Sequence, residues 1–438
     1  MRPLRVLVIA SAAASIACGA RTDVDVGRLA TGDASASAPD AGVDASGDGP
    51  SLPDALAPLD LTCPKAPGVQ PRAAWPMPRR CPDRSASTPA VGPRVAPRVA
   101  WRFPTPPTES LVIAADGTLY VPGAGGSVVA LAPDGKVRWT ARPASARSAV
   151  VSLAIRADGT LYVFDGVAVH AVLPTGAIAW STPVASCGGS FGIDVGEGGA
   201  VYGVDPGCAG GPASLVAIAP DGTLAWRAPL DALDASPASV GGDGEMYLLA
   251  FRTDDAPALF AFDASARLAW SADPPGNPAF DPYANGLAPP LVGGDGTIVY
   301  SLTGKVPQAG GIQAVGPDGS PRWWYPFPVP PTGAPLAITA DGTVYASDTS
   351  GVLHAIRHDG SEAWHWGGAP GSRTSSHVVV GGDGTVYVSL QAPGPGGTAA
   401  LDASGRLLWL ASDVGLPLAI GADGTLYTMG SALSALRP

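Results

Sequence analysis

Apolar residues fall into short runs separated by tight-turn signals from Trp101 to the C-terminus. The form Asp-Gly-Thr-apolar-Tyr occurs five times, and three looser copies also end in tyrosine. Asp-Gly between two apolar runs is a strong hairpin signal, because both residues accept the backbone angles of a tight turn. This pattern predicts eight repeated units. The tyrosine of each unit lies in its second strand; the eight are Tyr120, Tyr162, Tyr202, Tyr247, Tyr300, Tyr345, Tyr387 and Tyr427.

A second pattern follows in each of the first seven units: an alanine, a turn and, nine residues after the alanine, a tryptophan. These tryptophans are Trp139, Trp180, Trp226, Trp270, Trp323, Trp364 and Trp409. Each unit thus supplies four short strands, which in the first unit are Ser110–Ala114, Thr118–Pro122, Ser127–Ala132 and Val137–Ala141. A four-stranded meander that repeats every 40 to 50 residues or so is typical of a β-propeller blade. The sequence therefore predicts an all-β fold, an eight-bladed β-propeller of four-stranded antiparallel blades at residues 99–438.

The last unit lacks its fourth strand, because the chain stops at Pro438, before a tryptophan in the expected place. A spare strand with an unpartnered tryptophan, Trp101, precedes the first complete unit. We predict that this N-terminal strand completes the C-terminal blade beside Ala435. Such pairing would remove an exposed strand edge, which is otherwise prone to aggregation.

The residues before the propeller divide into three segments. Residues 1–18 have a basic head and a short apolar core, Val6–Ala17, which is too short to span a membrane and indicates a signal peptide. The segment resembles the lipobox of bacterial lipoproteins, which implies lipid on Cys18 and anchoring to the outer membrane; the alternative is ordinary cleavage and secretion. Residues 19–62 are predicted to be a disordered acidic tether. Residues 63–98, the neck, are rich in Pro and Arg, and could contact lipid headgroups or the acidic propeller.

Composition supports an exported binding protein. Apolar residues make up 46% of the chain, which agrees with blades covered on both faces by their neighbours. The net charge is −11, which argues against a nucleic-acid partner, since phosphate contacts need a basic surface.

Besides Cys18 there are four cysteines, for which three pairings are possible. We favour Cys63 with Cys81, inside the neck, and Cys187 with Cys208, on one face of the propeller.

The sequences Ala130–Trp139 and Ala400–Trp409 resemble the tryptophan-docking repeat of pyrroloquinoline-quinone-like (PQQ-like) propellers. The resemblance covers about residues 101–438 and implies that each tryptophan lies on an outer strand and packs against the next blade. Trp75-Pro76-Met77 is similar to the segment that precedes such repeats.

One branch of the PQQ-like family holds a calcium-bound quinone beside a pair of adjacent cysteines, and this chain has no adjacent cysteines. The other branch includes the lipoprotein propeller of the outer-membrane β-barrel assembly (Bam) complex, which has no cofactor, and this chain resembles it in architecture.

Candidate chemistry is sparse. Most aspartates belong to turns, and no Asp-x-Asp-x-Asp-Gly run indicates a calcium loop. We interpret His354, His358, His365 and His377 as surface histidines rather than a metal site, and His170 lies across the ring from His354. We predict no catalytic, cofactor-binding or metal-binding residues, and therefore a protein that is not an enzyme.

A partner is expected on one face of the propeller. The Asp-Gly turns should make one face plain (the turn face), whereas the longer connections lie on the opposite face (the loop face), where binding residues usually occur. Aromatic side chains concentrate there, although they could equally pack the loops down: Phe280, Tyr283, Trp324, Tyr325 and Trp366. The sequence thus indicates a monomeric propeller that acts as a scaffold for another envelope protein. The alternatives are a quinone-dependent oxidoreductase and a carbohydrate-binding surface module.

Overall fold

The computed structural model describes residues 59–438, with gaps at 65, 107, 144–149, 151, 185–191, 206–211, 233, 243, 253–255, 275–287, 304–309, 330–335, 369–372 and 392–395. These described residues belong to one compact unit. No helix in this described part has the length and apolar character needed to cross a membrane. The helical segments described are two single 3₁₀ turns, Ala124–Gly126 and Glu197–Gly199.

Short strands make up the rest of the regular structure. They are β1 (Arg98–Phe103), β2 (Val112–Ile113), β3 (Leu119–Pro122), β4 (Val128–Leu131), β5 (Val137–Ala141), β6 (Ser152–Ile155), β7 (Leu161–Phe164), β8 (Ala168–Val172), β9 (Ile178–Pro183), β10 (Ile193–Val195), β11 (Val201–Asp205), β12 (Ser214–Ile218), β13 (Leu224–Pro229), β14 (Asp234–Ala235), β15 (Ser239–Val240), β16 (Met246–Phe251), β17 (Pro257–Phe262), β18 (Leu268–Ala272), β19 (Leu291–Val292), β20 (Ile298–Thr303), β21 (Gly310–Val315), β22 (Pro321–Pro326), β23 (Ala337–Ile338), β24 (Val344–Ser347), β25 (Leu353–Ile356), β26 (Glu362–Trp366), β27 (Arg373–Val380), β28 (Val386–Gln391), β29 (Gly397–Leu401), β30 (Leu407–Ala411), β31 (Leu416–Ile420), β32 (Leu426–Met429) and β33 (Leu433–Arg437).

These strands form eight antiparallel sheets, which confirms the predicted eight-bladed propeller. Blades 1 to 7 begin at β2, β6, β10, β14, β19, β23 and β27, and each continues through the following strands in chain order. In blade 4 the innermost strand is in two pieces, β14 and β15, both paired with β16. Blade 8 contains β31, β32 and β33, and its outer strand is β1, with Trp101 opposite Ala435. This is the pairing that the spare N-terminal strand indicated.

Burial follows the position of a strand in its blade. In blade 2, every residue of β7 is buried, whereas the outer strand β9 alternates between exposed and partly exposed side chains. Inner and middle strands are covered by both neighbouring blades, so they carry apolar residues on both faces. One core cluster joins Leu119 and Leu131 of blade 1 to Tyr427 and Leu436 of blade 8. The first and last blades of the chain therefore pack against each other.

The repeated tryptophans connect each blade to the next. The indole nitrogen donates to a backbone carbonyl in the third turn of the following blade at 2.8–3.1 Å, in the pairs Trp101 with Pro133, Trp139 with Pro174, Trp180 with Pro220, Trp270 with Pro317, Trp323 with His358 and Trp364 with Ala403. Trp226 packs in the cluster that contains Ala266 of blade 4. This is the contact between neighbouring blades that the family resemblance implied.

The neck crosses the centre of the ring. Its backbone hydrogen-bonds to the last residue of the inner strand in six blades, taken in the order of the blades: Trp75 to Ile113, Pro76 to Ile155, Pro82 to Val240, Asp83 to Val292, Ser85 to Ile338 and Ala86 to Val380. These strand ends lead into the first turns of the blades, so the neck lies on the turn face. The expectation of a plain turn face is wrong, because the neck covers its centre.

Candidate functional site

A cavity of about 270 Å³ lies on the axis of the propeller, above the neck. Its wall comes mostly from the beginnings of inner strands or the residues just before them, with His377 and Val379 further along the inner strand of blade 7, whereas the neck forms its floor. The cavity therefore lies on the loop-face side of the neck, and we refer to it as the axial cavity. It is lined by Trp75, Pro78, Arg79, Arg84, Ala86, Glu109, Ser110, Ser152, Gly192, Pro237, Pro289, His377, Val379, Pro417 and Leu418.

Arg79 is a charged group of the floor that lacks a counter-ion. Its Nε and Nη2 atoms are buried and have no hydrogen-bond partner in the part of the chain that is described. Burial, together with the neighbouring positive charge of Arg84, lowers the pKa of Arg79 to about 9, so the guanidinium is still protonated at neutral pH. Its backbone has a φ of 68°, in the left-handed region that non-glycine residues rarely adopt. The floor thus presents a cation to the cavity.

Arg84, by contrast, has a carboxylate partner. Its Nη2 donates to Oδ2 of Asp194 at 2.8 Å, and its Nε donates to the carbonyl of Ala238 at 2.8 Å. Asp194 belongs to the inner strand of blade 3 and is fully buried. Burial raises the pKa of Asp194 to about 6, although the charge of Arg84 opposes this shift. The sequence left two contacts open for the basic neck, lipid headgroups or the acidic propeller. Arg84 makes the second of these contacts, through Asp194.

A second pair of polar side chains lies at the wall of the axial cavity. Nε2 of His377, on the inner strand of blade 7, is 3.3 Å from Oε2 of Glu109. The hydrogen bond from His377 and its charge lower the pKa of Glu109, and burial opposes this shift. The Glu109 side chain is 68% exposed, so water reaches this carboxylate directly.

The neck is closed on itself by a disulfide between Cys63 and Cys81, which is the pairing expected within the neck. Both cysteines are buried. Beside them, the guanidinium of Arg80 donates from Nη2 to the carbonyl of Leu61 at 2.9 Å and from Nη1 to Sγ of Cys81 at 3.3 Å. The start of the described chain is therefore fastened to the middle of the neck.

Of the three aromatic side chains proposed for the loop face that the structure describes, Trp324 is the most exposed, at 36%. Its ring lies over Gly311, where an added Cβ would be 2.6 Å from Cζ2 of the indole. Trp366 packs against the core cluster between blades 6 and 7. Tyr325 packs against blade 6 and donates to Oε2 of Glu362 at 2.9 Å. Trp324 is thus free to meet a partner, whereas Tyr325 and Trp366 have packing roles.

Several proposed residues lie outside the described part of the chain. These are Cys18, with its predicted lipid, the proposed pair Cys187 and Cys208, and the aromatic residues Phe280 and Tyr283.

Three of the five histidines are buried, whereas His358 and His365 are exposed. His170, His354 and His377 are 5%, 6% and 9% exposed, so the interpretation of His354 and His377 as surface residues is wrong. His354 contacts Asp348 through Nε2 at 3.3 Å and lies between blades 5 and 6. His365 is exposed and its Nδ1 is 2.7 Å from Oε1 of Glu362. His354 illustrates how a partner on the same blade allows a polar side chain to be buried.

The axial donors do not fit a calcium-bound quinone. Two carboxylates border or adjoin the cavity, and each is already paired, Asp194 with Arg84 and Glu109 with His377. Calcium prefers six to eight oxygen ligands or so, several of them carboxylates. Across the described ranges, no three side chains of His, Cys, Asp or Glu come together in a way that could hold a metal ion.

Comparisons with known proteins support the repeat and the fold. Residues 281–413, which span blades 5 to 7, match the family model described as outer membrane protein assembly factor BamB. This part of the chain carries PQQ-like repeats. No curated protein matches the sequence.

Solved propellers resemble the structure over most of its length. The crystal structure of BamB from Moraxella catarrhalis has a TM-score of 0.57 and 14% identity, covering 78% of this chain and 100% of that chain. The C-terminal WD40 domain of Sif2 has a TM-score of 0.58 and 10% identity, covering 78% and 99%. The dihydro-heme d1 dehydrogenase NirN has a TM-score of 0.51 and 15% identity, covering 71% and 66%. At these identities the likeness shows the propeller fold alone, since one fold carries many functions.

Proposed function

We propose that the protein is a non-catalytic scaffold lipoprotein of the cell envelope, anchored through lipid on Cys18, which binds another envelope protein through the loop face of its propeller. The observation that carries this proposal is the coincidence of two features in blades 5 to 7. Residues 281–413 match the BamB family model, and Trp324 in the same region is a large exposed aromatic side chain. Aromatic residues of this kind dominate the binding energy of many protein interfaces.

The rigid setting of Trp324 supports the proposal. Strand β22 is hydrogen-bonded along its length to β21, and the ring rests on Gly311. A side chain held in this way loses little conformational entropy when it binds, so more of the contact energy contributes to affinity. The acidic net charge of −11 favours a partner with a basic patch and disfavours nucleic acid.

Photo-crosslinking in the native envelope tests the proposal. A photoreactive phenylalanine analogue replaces Trp324 in the full chain, and its crosslinked products are identified by mass spectrometry. The matched control carries the same analogue at Val137, which is 53% exposed on the outer strand of blade 1, across the ring from blade 5. We expect a discrete envelope protein crosslinked from position 324 and not from position 137. Identical products at both positions, or none at position 324, would contradict the proposal.

The lipid anchor is tested separately. Cys18→Ser should release the protein from the membrane fraction, because a bound acyl chain contributes about 0.8 kcal/mol for each buried methylene group. Membrane fractionation and the mass of the mature N-terminus measure this effect. A variant that stays in the outer-membrane fraction with an unmodified N-terminus would contradict the anchor.

A further inference from the structure

The charge of Arg79 is not neutralised by contact with any described residue. No carboxylate of the described chain lies within ion-pair distance of its guanidinium, whereas Arg84, beside it, is bonded to Asp194. Glu109 is the carboxylate that acts on Arg79 from a distance, but it is bonded to His377 and largely exposed. Water therefore screens Glu109, and the cation in the floor of the axial cavity remains without a counter-ion.

An unpaired guanidinium next to a cavity points to a missing anion. Removing a charge from water is costly unless a partner of opposite charge or a set of hydrogen bonds replaces the lost hydration. The local backbone adds a second, independent sign of function. Arg79, Arg80 and Arg84 all have positive φ, and such strain in non-glycine residues occurs preferentially at binding sites. The neck is thus held in an unfavourable conformation that sets Arg79 at the cavity.

The rest of the lining defines the chemistry of the ligand. Trp75, Pro237, Pro289 and Leu418 provide an apolar wall, while the hydroxyl groups of Ser110 and Ser152 are at the beginnings of inner strands. A planar guanidinium matches a carboxylate, which accepts two parallel hydrogen bonds from it. The volume of about 270 Å³ is below that of pockets for drug-sized molecules, so it suits a smaller compound.

We propose that the axial cavity binds a small organic carboxylate, with its carboxylate group on Arg79 and its apolar body against Trp75 and the proline-rich wall. This site goes beyond the scaffold function, because it lies on the axis of the ring whereas Trp324 lies on an outer strand. Loss of ligand binding with crosslinking at position 324 intact would therefore reject the cavity proposal alone, and the reverse result would reject the scaffold proposal alone.

Calorimetry and thermal unfolding of the mature full chain test the site with three probes: benzoate, its uncharged counterpart benzamide, and phenyl phosphate. We expect benzoate to bind and to raise the melting temperature, and benzamide to do neither. Phenyl phosphate should bind more weakly than benzoate, since its tetrahedral head is larger. Native mass spectrometry of the protein as purified identifies any acid that already occupies the cavity, and an acid retained by the wild type but lost from Arg79→Gln supports the proposal.

Variants assign the effect to Arg79. Arg79→Gln should weaken benzoate binding about tenfold or more, because a hydrogen bond to a charged group is lost, and it should not lower the melting temperature without ligand, because an unpaired buried cation is removed. Arg79→Lys keeps the charge and should bind with intermediate affinity. Arg138→Gln, at an exposed arginine of blade 1, is the matched control and should bind as the wild type does. Equal binding by wild type and Arg79→Gln, tighter binding of phenyl phosphate than of benzoate, or neither benzoate binding nor a retained acid would overturn the proposal.

Discussion

The indole nitrogen of Trp409 donates a 2.8 Å hydrogen bond to the carbonyl of Pro93, 316 residues earlier in the chain. Trp409 belongs to blade 7, and six of its counterparts in other blades donate to the third turn of the blade that follows. Blade 8 has no such turn, because its outer strand β1 comes from the start of the folded region. The segment before β1 supplies the carbonyl instead. The N-terminal residues thus complete both the strand order and the tryptophan contact of blade 8.

Replacing Trp409 should weaken the junction between blades 7 and 8. Trp409 is 5% exposed, so Trp409→Ala should lower stability by about 3–5 kcal/mol through the cavity that it leaves. Trp409→Phe should cost less, about 1–2 kcal/mol, since mainly the hydrogen bond to Pro93 and part of the packing are lost. Chemical denaturation measures both. The control Trp324→Ala, at an exposed position, should change stability by less than about 1 kcal/mol. Equal effects at the two positions would contradict the role given to Trp409.

The blades could be predicted from the sequence because their signals are local and repeated. An Asp-Gly turn, a buried tyrosine and a tryptophan nine residues after an alanine each specify a hairpin or a contact within one unit, and repetition removes chance matches. The repetition also made Trp101 recognisable as a tryptophan outside any complete unit, which predicted the strand that closes blade 8. Strand ends were less predictable: the first strand of blade 1 is Val112–Ile113, shorter than the apolar run Ser110–Ala114.

The axial cavity could not be predicted in this way. Arg79 borders it through a left-handed backbone conformation, and nothing in a Pro- and Arg-rich segment specifies such a conformation in advance. His377 and Glu109 meet there although they are on different blades and far apart in sequence. One signal was available: Trp75 and Met77 are the largest apolar residues of the Pro- and Arg-rich neck, and both are fully buried. Apolar residues in a segment outside the repeats indicate that the segment packs into the fold.

The disulfide between Cys63 and Cys81 should stabilise the neck. It closes a loop with a sequence separation of 18, for which loop entropy alone predicts about 3 kcal/mol. The double variant Cys63→Ser with Cys81→Ser should therefore unfold at lower denaturant concentration than the oxidised wild type. Reduction should lower the midpoint of the wild type and leave that of the variant unchanged. A variant as stable as the oxidised protein would contradict this prediction.

Acid should destabilise the propeller through its turn aspartates. Burial raises the pKa of Asp295, but hydrogen bonds from Thr297 and Arg322 outweigh it and bring the pKa to about 2. A carboxyl group whose pKa is lower in the folded state contributes stability above the unfolded value, about pH 4, and loses it as the pH falls toward 2. The denaturant concentration at the unfolding midpoint, measured at several pH values, should therefore decrease between about pH 4 and pH 2. The decrease should be smaller for Asp295→Asn than for the wild type. Parallel curves for the two proteins would count against this assignment.

In six blades, the glycine of the third turn receives the tryptophan of the preceding blade. At Gly222 an added Cβ would be 2.7 Å from the ring of Trp180, and the φ of +90° is unfavourable for any other residue. Gly222→Ala should therefore cost more than about 2 kcal/mol, through strain and overpacking together. Gly244→Ala is the matched control, because Gly244 has a similar φ of +83° but only Ala264 near it, at 3.9 Å. A smaller loss of stability at Gly222 than at Gly244 would show that the tryptophan contact tolerates a side chain.

Blade 4 departs from this pattern in a way that predicts a stabilising substitution. Ala266 occupies the position of the turn glycine with a φ of 61°, and it packs against the same core cluster as Trp226. The left-handed conformation costs an alanine about 1–2 kcal/mol, whereas the greater freedom of glycine in the unfolded chain costs less than about 1 kcal/mol. Ala266→Gly should therefore raise stability by up to about 1 kcal/mol in chemical denaturation. Ala264→Gly, in the same turn but without a positive φ, should lower it, because only the entropy of the unfolded chain changes there. A loss at both positions would mean that the packing of the Ala266 methyl group against the core cluster outweighs the backbone strain.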